Sequence, residues 1–180
     1  MAFRTVPDLS HLYFFDASTT GKKPLFDHPE FADIALDALA QLRAEGRIKL
    51  FAYALLPTQI QAVLIPEDAT PKQFTDEFVA RSTSMLLRQM RLGGDDELLR
   101  HFLPERRNTY RSHNVWEDLR TNRINTIEYL AQKVEQVHNL PTEGSEPLVE
   151  MRAAYPFSSA CFYDLSQEPP VAVDDVRQWY

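Results

Sequence analysis

Cysteine is almost missing from this chain. Cys161 is its single thiol, which excludes an internal disulfide and a cysteine-built zinc site. No apolar run approaches the length of a membrane span, and the first residues lack the charged-then-apolar layout of a secretory leader. A cytoplasmic protein with no membrane partner is therefore expected. Internal repeats and low-complexity tracts are missing as well. So is any excess of positive charge: the formal net charge is −7, whereas a generic nucleic-acid binder is usually basic.

What is present is enough for a real core. The chain has 180 residues, 44% of them hydrophobic, which suits one domain or one domain with an appendage. The acidity is uneven. Beyond residue 142, Glu143, Glu146, Glu150, Asp164, Glu168, Asp174 and Asp175 face only Arg152 and Arg177. This divides the chain into a main domain, residues 1–163, and an acidic C-terminal tail, residues 164–180. Just before that region lie Arg100, Arg106, Arg107, Arg111, Arg120 and Arg123, so a local basic surface is compatible with the acidic total.

The central stretch, residues 48–66, reads as two apolar strands broken at Pro57-Thr58. Side chains alternate along a strand, so Gln59 and Gln61 share a face and Ile60 points the other way. Two amides on one face of a central hairpin mark a site or its remains. Upstream, residues 11–17 read as an aromatic strand. A helix then runs from Pro29 to Gly46, capped by Asp27 or His28. Downstream, a second helix spans residues 68–91, entered at Thr70-Pro71 and stopped by Gly93-Gly94. Residues 95–114 read mostly as loop, residues 115–119 as a short strand, and residues 126–139 as a third helix with Ile127, Leu130, Val134 and Val137 on one stripe. A final short helix is expected over residues 173–179. This order predicts an α+β fold, a ferredoxin-like sandwich with a central antiparallel sheet and helices packed on it.

Three segments carry a family resemblance. Leu55-Leu56-Pro57-Thr58-Gln59-Ile60-Gln61 resembles the Met-Pro-Asn-His-Ile-His signature of the REP-associated tyrosine transposases, members of the HUH single-strand nuclease group. Gln136-Val137-His138-Asn139-Leu140-Pro141 stands where that family has Tyr-Ile-His-Asn-Asn-Pro, and Tyr155-Pro156-Phe157-Ser158-Ser159-Ala160 is similar to its Tyr-Pro-Trp-Ser-Ser-Ala. A Val-Trp segment, Val115-Trp116, also matches in order. The resemblance implies the same ferredoxin-like fold and an ancestry in DNA transposition. In that chemistry a tyrosine hydroxyl attacks a backbone phosphate, helped by a divalent metal such as magnesium or manganese.

Carried over position by position, the resemblance places the two metal histidines on Gln59 and Gln61, the nucleophile on Gln136 and an auxiliary asparagine on Leu140. All four depart from the pattern. Glutamine has no nucleophilic oxygen and substitutes poorly for imidazole. No catalytic residue, metal or cofactor is therefore expected, and these are vestigial positions. Tyr129, two turns before Gln136, lies too far along the helix to replace the hydroxyl and is expected to pack half-buried.

Two readings stay open for the amides. They fill the former pocket by bonding each other, Gln136 and water, or they read a base edge. Two also stay open for the arginines, a phosphate track beside Tyr110 and Trp116 or a solvated loop paired with the acidic tail. His138 is expected at the surface near a helix end, and Tyr155, Phe157 and Cys161 in core packing. The leading expectation is a catalytically inactive transposase-like protein that binds single-stranded or hairpin DNA without cleaving it. The alternative is a protein-interaction or structural module that has lost DNA binding, and residual transposition activity comes last. Homodimer formation and protein partners are left open.

Overall fold

The apolar hairpin forms as its sequence suggests, with β2 (Ile48–Leu56) and β3 (Gln59–Pro66) turning at Pro57-Thr58. It belongs to a computed structural model of the protein that describes residues 9–103 and 115–179. Two further strands, β1 (Tyr13–Thr19) and β4 (Trp116–Arg123), complete one sheet of order β2-β3-β1-β4. Every neighbouring pair is antiparallel. With α1 (Pro29–Ala44) joining β1 to β2 and α2 (Pro71–Gly93) leading from β3 towards β4, this is the ferredoxin-like α+β sandwich. β1 lies two residues later than expected. β4 runs to Arg123 instead of stopping at Leu119, because it follows β1 through a register shift.

The two sheet faces bury different cores. Phe15 and Ala17 of β1, Leu50, Tyr53 and Leu55 of β2, and Ile60, Ala62 and Leu64 of β3 face α1 and α2. Phe14, Phe51, Ala52, Ala54 and Val63 face the other way, under α4 (Ile127–Asn139) and its Leu130, Val134 and Val137. A bulge in β2 between Leu50 and Ala52 turns Phe51 and Ala52 to the same side. Trp116 ties β4 to α2: it is buried, stacks on Phe26 at 5.3 Å and donates its indole N–H to Ser82 Oγ at 2.9 Å.

Local signals set most helix ends. Thr70 and Gln73 form a reciprocal capping box at the start of α2. Thr126 accepts from Tyr129 N at the start of α4. Gly94 ends α2 in the left-handed conformation. The stretch expected as loop after Gly94 instead begins with α3 (Asp96–Phe102), capped by the Asp95 side chain and anchored by buried Leu98 and Phe102. Its apolar spacing is short and was masked by charged neighbours. Residues 104–114, with Arg106, Arg107, Tyr110 and Arg111, lie outside the described residues. The expected terminal helix is a single 3-10 turn, Arg177–Trp179. No described helix is long and apolar enough to cross a membrane.

β2 is at once the heart of the hairpin and an edge strand, and the C-terminal segment covers that edge. Tyr53 N–H donates to Ser159 Oγ and Ser159 N–H to Tyr53 O, both at 3.0 Å. Leu55 N–H donates to Phe157 O at 2.9 Å, and Tyr155 O–H to Leu55 O at 2.8 Å. Tyr163 O–H reaches Phe51 O at 2.7 Å. At the bulge, Asp174 N–H donates to Leu50 O at 2.7 Å while its carboxylate accepts from Leu50 N at 3.2 Å. Val171 N–H donates to the buried Tyr53 hydroxyl at 2.9 Å. The tail residues Val171 and Val176 are buried in the two cores, one on each sheet face. The Tyr-Pro-Phe-Ser-Ser-Ala segment therefore serves the fold. Cys161, on α5 (Ala160–Leu165), is half-exposed instead of packed in the core.

Ser159→Ala removes the acceptor of a buried backbone N–H and should lower stability by about 2–3 kcal/mol, read as a shift of the urea midpoint at unchanged slope.

Candidate functional site

The register of the sheet brings four side chains into one row on the α4 face: Ala54, Gln61, Asp16 and Arg120, each opposite the next across neighbouring strands. A parallel row holds Leu56, Gln59, Ser18 and Glu117. Gln59 and Gln61 thus share a face, as their alternation requires. Between the rows β4 bulges, with Asp118 and Leu119 against Ala17 and Asp118 at φ 53°. Aspartate tolerates this left-handed conformation better than most residues. The bulge brings Asp118 close enough to influence Asp16.

α4 lies above the rows. Tyr129, Lys133 and Gln136 fall at i, i+4 and i+7, one stripe of the helix. Lys133 Nζ sits 4.4 Å from the Phe14 ring centre and 5.2 Å from that of Tyr129, and donates to Gln136 Oε1 at 2.8 Å. Gln136 Nε2 in turn donates to Gln61 Oε1 at 3.5 Å, a long bond. The amides of two vestigial positions therefore meet, which fits the reading in which amides fill the pocket. Leu140 stands one turn beyond Gln136 and only closes the helix, its N–H bonding Gln136 O. Tyr129 is half-buried, as expected.

Asp16 is the residue that sequence reasoning missed. Its side chain hydrogen-bonds Gln61. Its Oδ1 is buried and is one of four such side-chain atoms without a hydrogen-bond partner among the described residues. Burial raises the carboxyl above its ordinary range; the Gln61 bond and the charges of Arg120 and Lys133 oppose this, and Asp118 adds to it. One signal was available: Asp16 is the only charged residue in the strand Tyr13–Thr19, and its parity with Phe14 places it on the face opposite Phe15.

The donor set does not suit a divalent metal held by imidazoles. Asp16 is the carboxylate within the row, Asp118 acts on it from β4, and the Lys133 ammonium is bonded to the Gln136 amide. A cation already bonded there opposes a second one. No cluster of three His, Cys, Asp or Glu side chains exists among the described residues.

The described arginines do not form one surface. Arg100 sits on α3 and donates to Asp96 O. Arg120 shares the face of Asp16, whereas Arg123, opposite Tyr13, shares the face of Phe15. The acids of the tail use other partners: Asp164 pairs with Arg152, Asp174 with Arg43 and Asp175 with Arg177.

His138 is fully buried, contrary to the surface position expected of it. Its Nε2 lies 2.8 Å from Ser159 Oγ, and its ring is 4.9 Å from that of Tyr163. The Arg152 guanidinium holds it in place from outside, forking onto Asp164 and reaching Glu135 and Asn139 of α4. Desolvation, with the nearby Arg152 charge, pushes the imidazole down to about 4. With no aqueous access, this serine–histidine contact is a strut beneath α4.

Against known proteins, no family model and no curated protein matches the chain. Solved structures do. The REP-associated tyrosine transposase bound to a REP hairpin is similar over 92% of this chain and 87% of its own, with a TM-score of 0.60 at 13% identity. A Deinococcus radiodurans protein solved as a candidate transposase is similar over 69% of this chain and 85% of its own, with a TM-score of 0.43 at 15% identity. At these identities the likeness is one of fold: the chain has a transposase-like fold.

Because folded His138 titrates near 4 and an unfolded histidine near 6.5, the unfolded chain binds the extra proton between those values. Stability should therefore fall as pH drops from about 6.5 to about 4, by roughly 3 kcal/mol from this group. Urea unfolding at stepped pH should show the slope, and His138→Gln should flatten it.

Proposed function

We propose that this is a transposase-fold protein that no longer cleaves DNA and that binds hairpin or single-stranded DNA across the α4 face of its sheet. One observation carries the reading. Gln136, at the nucleophile position, meets Gln61, at a metal-ligand position, at 3.5 Å, so the point of chemistry is closed by neutral amides. The solved neighbour of the same fold is a transposase bound to a REP hairpin, which supports nucleic acid as the ligand class. On this chain the groups suited to a strand are Lys133 and Arg120 for phosphates and the half-exposed Tyr129 ring for a base. Arg100 and Arg123 stand elsewhere and would extend the contact only by following the duplex stem. Such a protein would act in the cytoplasm beside the DNA it recognises.

The alternative, a protein-interaction module without DNA affinity, draws on the net charge of −7. That charge is partly spent inside the fold, since Asp164, Asp174 and Asp175 are paired.

Fluorescence anisotropy with a labelled DNA hairpin bearing a single-stranded flank separates the two. Binding should weaken by about tenfold between 50 and 200 mM salt, as two or three phosphate contacts require. It should be indifferent to manganese, and Lys133→Ala and Arg120→Ala should each reduce the salt slope by about one. A requirement for manganese, or a DNA–protein adduct in mass spectrometry, would overturn the inactive site. No binding at low salt would leave the interaction module.

A further inference from the structure

Asp16 holds one of the four buried, unpartnered side-chain atoms among the described residues, and its neighbours suggest what it does. It lies in the middle of the sheet's α4 face, with Gln61 of β3 on one side and Arg120 of β4 on the other. The charged groups that act on it come from two elements: Arg120 and Asp118 from β4, and Lys133 from α4. Gln61 of β3 adds a hydrogen bond but no charge. Two cations thus flank one carboxylate in a partly dry setting. Yet Oδ1 of that carboxylate is buried without a hydrogen-bond partner among the described residues. A desolvated oxygen left unpaired destabilises the ionised form, and a proton relieves it.

Two cations around a central anion are also what a phosphodiester would need. We infer that Asp16 is a built-in gate on nucleic-acid binding: ionised, it takes the place in charge that a backbone phosphate would hold between Arg120 and Lys133, and neutral, it yields that place. The inference rests on the DNA-binding reading and names how that site is regulated.

Its consequence has a definite sign. A phosphate arriving beside Arg120 and Lys133 brings a second negative charge next to Asp16. The bound state therefore favours neutral Asp16 more than the free state does, and binding takes up a proton. Affinity should then rise as pH falls, by at most about tenfold per pH unit, because one proton is linked to one binding event. The phosphodiester does not titrate in this range. The slight elevation from Asp118 works in the same direction, and the two cations work against it.

The test compares the full chain with its Asp16→Asn variant, isosteric and permanently neutral, using the same labelled hairpin at low salt at about pH 5 and about pH 8. The native protein should bind more tightly at the lower pH. Asp16→Asn should bind about tenfold more tightly than the native protein at pH 8, with a flattened pH profile. All other titratable groups are present in both proteins, so only the difference between the two profiles belongs to Asp16. Should Asp16→Asn fail to fold by circular dichroism, Asp16→Ser gives the same comparison.

Equal affinities at pH 8 with parallel profiles would overturn the gate while leaving DNA binding intact. No binding by any of the proteins at either pH would overturn the DNA-binding reading and the gate together.

Discussion

The fold depends on covering the outer edge of β2. That strand supplies Leu50, Tyr53 and Leu55 to one core and Phe51, Ala52 and Ala54 to the other, so it cannot be given up, yet the sheet order leaves it with a neighbour on one side only. An open edge of unpaired amides and carbonyls invites pairing with other chains. Here the backbone of Leu50, Phe51, Tyr53 and Leu55 is taken up by Phe157, Ser159, Tyr163 and Asp174, with Tyr155 adding its hydroxyl. These groups come from irregular chain and from side chains, so the edge is closed without a fifth strand. The same residues reach beneath α4 through the Ser159–His138 contact, so the cover on β2 also fixes the height of Gln136 above Gln61.

The site that results is held by weak polar contacts between well-packed walls. The Lys133 ammonium lies over the rings of Phe14 and Tyr129, and it donates to Gln136. These contacts gather one ammonium and two amides between aromatic rings. Of its walls, Phe14 is a core residue that the fold itself requires, and Tyr129 packs against that core.

Much of this was legible in the sequence. The 48–66 hairpin, the start of the second helix at Thr70-Pro71 and the shared face of Gln59 and Gln61 follow from local rules: β-formers, turn prolines, a capping hydroxyl and the two-residue period of a strand. Asp16, His138 and α3 were not legible, for different reasons. Asp16 matters only through partners 45 and more residues away, Gln61 and Arg120. His138 looked like a helix-end histidine because nothing local signals that Ser159 and Tyr163 will fold over it. α3 has too few turns for periodicity to register. The match of Tyr155 to Ala160 with a transposase motif was legible too, as was the core packing of Tyr155, but the edge of β2 that the segment covers was not.

The cover on β2 also orders events in time. Tyr53 meets Ser159 across 106 residues of chain, and Leu50 meets Asp174 across 124. During synthesis the hairpin and its neighbours leave the ribosome long before their cover does. At roughly 5–20 residues per second, a nascent chain carries an unfinished sheet edge for several seconds. Closure must then wait for contacts of long sequence separation, the slow kind. For this protein the hazard of pairing with a neighbouring nascent chain belongs to its birth, and it ends when the last quarter of the chain arrives.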